Sequence, residues 1–109
     1  MMFIEAWNKK ATEVNETAKE KGWWDEERND GEMIALMHSE LSEALEALRH
    51  GNGPDDHIPD YCGTEAEMAD VVIRIMDYGK ARGLRIAEAI EAKMAYNTTR
   101  ERKHGGKAF

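Results

Sequence analysis

The chain has 109 residues, 41% of them apolar and 34% charged, with a single cysteine and a formal net charge of −7. That length suits one domain with one core, without a stapling metal or disulfide. The lone thiol, Cys62, excludes an intrachain disulfide and suits a reducing cytoplasm, and the acidic balance argues against non-specific binding to a nucleic-acid polymer.

The opening stretch "MMFIEAWNKK" carries a charge within five residues and no apolar run, so it does not read as a signal peptide. No apolar stretch approaches the length of a membrane span. Phe3, Trp7, Ala11, Val14 and Ala18 recur at helical spacing, which predicts a helix over 2–20. Gly22 and Gly31 bracket a break, and a second helix is expected over 31–50, stopped by Gly51. "GNGPDDHIPDYCG" reads as a loop. Thr64 followed by Glu67 looks like a capping box for a third helix over 65–82, ending near Gly83. A fourth helix is expected from about 84 to 102, and "HGGKAF" (104–109) reads as a flexible basic tail. The sum is one all-α domain over 1–109, a bundle of four to five helices with no strand pattern.

The carboxylates carry the functional signal. A helix turns about 100° per residue, which puts Glu40 between Leu36 and Ala47 on one side and Met33, Met37 and Ala44 on the other. Leu41, Leu45 and Leu48 continue that stripe. Glu40 is therefore expected inside the apolar face, with Glu43 at its edge and Glu46 on the polar side. A buried, unpaired carboxylate costs too much to keep, so Glu40 needs a cation, a donor or a metal. A plain buried Glu–Arg pair would also satisfy it. The third helix is apolar around most of "VVIRIMDYG" and is expected to be the most buried. Its remaining arc holds Glu67, Asp70, Arg74 and Asp77. Asp70 could merely pair with Arg74 at i+4, and Glu67 could merely serve the cap. If the two helices pack antiparallel, Glu40 and Glu43 face Glu67 and Asp70. Four such acids repel unless a divalent cation sits among them, and oxygen ligands favour Mg²⁺ or Mn²⁺.

On the fourth helix the stripe of Ile86, Ala89 and Ile90 turns into Lys93, Asn97 and Arg100, flanked by Tyr96. Cations near a helix C-terminus also complement its dipole, which accounts for Arg100 but not for Asn97. From residue 93 onward Lys93, Arg100, Arg102, Lys103 and Lys107 stand against Glu101 alone. An acidic body beside a basic end suggests a metal site next to an anion site.

"ELSE" at 40–43 and "EMAD" at 67–70 resemble the E-x-x-E…E-x-x-D signature of all-α nucleoside triphosphate pyrophosphohydrolases. "AKEKGWW", "RNDGEMIALMHSELSEALEALR" and "KMAYNTTR…KHGGK" are similar to blocks of the small MazG-like group within that superfamily, so the likeness spans nearly the whole chain. The resemblance implies Mg²⁺-dependent cleavage of a (d)NTP to the monophosphate and pyrophosphate, in a role such as nucleotide-pool cleansing. It implies Glu40, Glu43, Glu67 and Asp70 as catalytic metal ligands, with Mn²⁺ as a substitute ion. Lys93 and Asn97, with Tyr96 and Arg100 beside them, would meet phosphate and sugar. Trp7, Trp23 and Trp24 are candidates for stacking on the base. A homodimer or a dimer-of-dimers tetramer is implied as well. The alternatives are a pyrophosphohydrolase for phosphoribosyl-ATP or another modified nucleotide, or a non-enzymatic helical metal-binding or adaptor protein. A di-iron bundle would need Glu-x-x-His pairs, and no histidine stands three after Glu40 or Glu67.

Overall fold

A computed structural model describes residues 2–100. They form four helices and no named strand: α1 Phe3–Glu20, α2 Asp30–Arg49, α3 Gly63–Arg82 and α4 Ile86–Asn97. No helix among the described residues is long and apolar enough to cross a membrane.

Local chemistry sets the ends. Asn29 caps α2, its Oδ1 accepting from the Glu32 N–H at 3.0 Å. Helix α3 starts before the expected position and with a different cap. Glu65 Oε1 accepts from the Cys62 N–H at 3.0 Å, while Thr64 turns away and donates its hydroxyl to Asn52 Oδ1 at 2.7 Å. The Thr64–Glu67 capping box is thus replaced by Cys62–Glu65, and Glu67 is released from capping. Gly83 ends α3 in the left-handed region at φ 67°, a conformation that favours glycine. Helix α4 is shorter than expected. The Leu84 N–H is used to close α3 onto the Gly79 carbonyl. At the far end the Thr98 and Thr99 hydroxyls donate to the Ala95 and Tyr96 carbonyls, at 2.7 Å each, where the helix turns off. Of the expected extension to 102, residues 98–100 are turn rather than helix, and residues 101–102, with Lys103, Lys107 and the 104–109 tail, lie outside the described residues.

Helix α3 is the hub. It packs on α2 along its length and on α1 behind, while α4 rests on α1. The α2–α3 pair is antiparallel: contacts step from Ala47–Gly63 through Glu40–Arg74 to Asp30–Arg82. The core is thin and made of small or flexible side chains, Ala11, Ala18, Met33, Ala44, Ala66, Met76 and Ala87. The apolar face of α3 is not fully covered, since Met68, Val72 and Ile73 stay exposed beside Leu41, Leu45 and Leu48 of α2. The leucine stripe expected to continue the core of α2 therefore faces outward in a single chain.

Candidate metal centre

The antiparallel register brings the middle of α2 against the first half of α3. Glu40 comes from α2, Glu67 and Asp70 from α3. One carboxylate oxygen of each lies within 4.8 Å of the others. The three open onto a cleft of about 480 Å³, which Glu43 also lines without joining the three-oxygen cluster. The loop between α2 and α3 supplies the opposite wall, with Asp55, His57 and Ile58.

Glu40 is only 8% exposed, as its place in the apolar stripe requires. Arg74 donates to its Oε1 from Nε at 3.1 Å and from Nη2 at 3.0 Å. Burial alone would raise the Glu40 pKa, but hydrogen bonding with Glu67 and the Arg74 guanidinium outweigh it. They hold the carboxyl below the ordinary value. The buried Glu–Arg pair and the acidic cluster, alternatives on the sequence, are therefore both present. Arg74 does not take Asp70 as its i+4 partner; it reaches across to α2 instead.

Glu67 behaves in the opposite sense. Sharing a proton with Glu40 comes first, then burial, then the nearby Glu43, and together they push its carboxyl up to about 8. Its Oε2 is buried without a hydrogen-bond partner. The Asp70 carboxyl is also raised, first by burial and then by the charge of Glu40, against the opposing pull of Arg74. Three carboxylates with oxygens gathered at this distance, and a buried, unsatisfied oxygen on Glu67, form a donor set that could hold a metal ion. Bound there, a cation would replace the proton and relieve the repulsion.

The other sequence candidates lie elsewhere in the chain. Lys93, Tyr96, Asn97 and Arg100 are exposed on and just after the last turns of α4, with the Lys93 Nζ 5.3 Å from the Tyr96 ring centre. None of them lines the acid cleft. Trp7 packs near Phe3, ring centres 5.9 Å apart, and lines a separate pocket with Gly79 and Lys80. Those residues of α3 lie roughly 13–20 Å along the helix from Asp70 and Glu67. Trp24 is tied into the structure: its Nε1 donates to Asp77 Oδ1 at 2.9 Å and Oδ2 at 3.1 Å. Trp23 is 52% exposed, with the Arg74 guanidinium 5.9 Å from its ring centre.

Three features were not anticipated. Asp55 and His57 reach the cleft because the Asp55 Oδ2 accepts from the His57 and Ile58 N–H groups, at 2.9 and 3.0 Å, curling the loop toward the acids. The "GPDD" turn chemistry was a readable sign of that curl. The third is Asp77, buried and held by Asn15 Nδ2 at 2.8 Å as well as by Trp24. Its position seven after Asp70 on one face of α3 was legible, but its partner on α1 was not.

No family model, no curated protein and no solved structure matches this chain. What stands is a four-helix all-α domain with an acidic triad able to hold a metal ion.

Proposed function

We propose that the protein is a Mg²⁺-dependent nucleoside triphosphate pyrophosphohydrolase, cleaving (d)NTP to (d)NMP and pyrophosphate. The observation that carries this reading is the convergence of Glu40, Glu67 and Asp70 on one cleft, with Glu43 at its rim. The two E-x-x-acid pairs that resemble the pyrophosphohydrolase signature are the pairs that the antiparallel register brings to one cleft. A volume of about 480 Å³ is enough for a triphosphate with its cations.

A magnesium ion in this cleft would neutralise phosphate charge and acidify an attacking water. Glu40, buried and held ionised, and Asp70 would hold the ion. Glu67 would be the third ligand, on loss of its proton. Glu43 is exposed at the rim, where its carboxylate is free to accept the proton of the water. Among the described residues lining the cleft, His57 on the loop brings an imidazole that can donate to a phosphate oxygen. Lys93, Tyr96, Asn97 and Arg100 would join substrate through a second copy of the chain, which fits a homo-oligomer.

The test is a panel of NTPs, dNTPs, modified nucleotides and phosphoribosyl-ATP with Mg²⁺ or Mn²⁺, followed by phosphorus NMR. Pyrophosphate and monophosphate are expected, and Glu40→Gln should lower turnover by at least about 100-fold while the fold persists. Orthophosphate release, or a fully active Glu40→Gln, would count against the reading.

A further inference from the structure

We propose that Arg74 is a resident counter-cation of the acid cleft: it positions Glu40 and holds down the affinity of the cleft for free divalent cations. The inference rests on reading the cleft as a divalent-cation site. Three observations carry it. Both guanidinium bonds land on Glu40 Oε1, so Arg74 does not engage Oε2. Arg74 bypasses Asp70, its i+4 neighbour, which stays with Glu40 and Glu67 in the cluster. Its guanidinium is also backed by the Trp23 ring at 5.9 Å, and Trp23 is the neighbour of Trp24, which is pinned to Asp77. The guanidinium thus has both an aromatic ring and a carboxylate as neighbours.

An arginine keeps its charge at every pH that proteins meet. Glu40, Glu67 and Asp70, all ionised, carry three negative charges; Arg74 supplies one positive charge and one divalent cation two. The triad with Arg74 is therefore neutral with a single ion, and without Arg74 it remains negative. A fixed positive charge one carboxylate away from the ion opposes its binding in direct proportion to its proximity. At the same time it keeps Glu40 ionised and aimed, so the ligand needs no rearrangement when the ion arrives. Arg74 acts through Glu40 and is a positioning residue, not a ligand.

A purely structural tie makes the opposite prediction. Cutting such a tie would free Glu40, loosen the cluster and weaken metal binding. The sign of the change in affinity therefore separates the two. Mn²⁺ binding is measured by electron paramagnetic resonance and by calorimetry on the whole chain without nucleotide, with circular dichroism as the fold check. Arg74→Met and Arg74→Gln should each bind Mn²⁺ tighter by about ten-fold or more. Arg74→Lys, which keeps the charge, should stay close to wild type. Unchanged or weaker binding in the neutral variants overturns the proposal while leaving the metal site intact. Loss of fold in both neutral variants also overturns it, since Arg74 would then be a structural tie. A wild-type protein that binds no Mn²⁺ overturns the metal site itself, and this inference with it.

Discussion

Gly63, the first residue of α3, lies so close to Ala47 near the end of α2 that a Cβ on it would stand 2.8 Å from the Ala47 Cβ. Real Cβ atoms do not approach that closely, so the two helices close here because Gly63 has no side chain. The register set at this end carries Glu67 and Asp70 alongside Glu40. Gly63→Ala should cost about 1–3 kcal/mol in urea unfolding through overpacking. It should also reduce the stabilisation that Mg²⁺ or Mn²⁺ confers, because the acids would be pried apart. Adding Ala47→Gly should restore part of both. A Gly63→Ala protein as stable as wild type would show that the helices have slack at this end.

The pH dependence follows from Glu67. Its carboxyl titrates near 4.5 when unfolded and is pushed up to about 8 in the metal-free fold. Between those values the folded chain holds a proton that the unfolded chain has lost. Stability from this group is therefore full below about 4.5, falls as pH rises, and is gone above about 8. Thermal unfolding of metal-free protein should show that decline, and Glu67→Gln should flatten it. Below pH 8 metal binding should release a proton, which calorimetry in buffers of different ionisation enthalpy will detect. No difference between wild type and Glu67→Gln in either measurement would remove Glu67 from the coupled cluster.

Asp77 ties three elements together: Asn15 of α1, Trp24 of the first connection and its own helix α3. Asp77→Ala leaves the buried Asn15 amide and the indole N–H without an acceptor. A loss of about 1–3 kcal/mol is expected for this kind of unsatisfied pair. Tryptophan emission should shift to longer wavelength as the 21–29 segment loosens. Asp77→Asn, which keeps one acceptor oxygen, should be milder in both. Equal stability of the alanine variant would mean that water replaces the carboxylate at no cost.

Much of this was legible because helices write their faces into sequence at a fixed period. The four elements, the break at Gly22 and Gly31, and the burial of Glu40 all follow from spacing within one helix. The same spacing could not say which neighbour a side chain reaches. Arg74 has Asp70 four residues away and Glu40 on another helix, and the packing of α2 on α3 decides for Glu40. The α3 start was misplaced because Thr64 and Glu67 mimic a cap that Cys62 and Glu65 supply. The sequence around Asp55 and His57 shows only a loop, since a loop's approach to a cleft depends on a turn and on where its ends are anchored. The α4 candidates Lys93, Asn97 and Arg100 share a helical stripe, yet α4 leans on α1, on a different side of the hub from α2.

The exposed apolar residues make the last prediction. Leu41, Leu45 and Leu48 stand at i, i+4 and i+7 on α2 and are 45%, 49% and 54% exposed. On α3, Met68 and Val72 at i and i+4 are 52% and 40% exposed. A standard interface removes about 800 Å² per partner, a scale that exposed apolar stripes on two packed helices can supply. A stripe of leucines on one helix is self-complementary about a two-fold axis, which favours a homodimer as the simplest closed form. Leu45→Glu puts a charge at the middle of that stripe. In light scattering at low micromolar concentration the wild type is expected to scatter as a dimer or tetramer and the variant as a single chain, with Glu40 and its cluster untouched in sequence. Melting temperature should become independent of protein concentration in the variant and rise with concentration in the wild type. A wild-type protein that scatters as one chain across that range would sink the prediction, and α4 would then have to reach the cleft within its own chain.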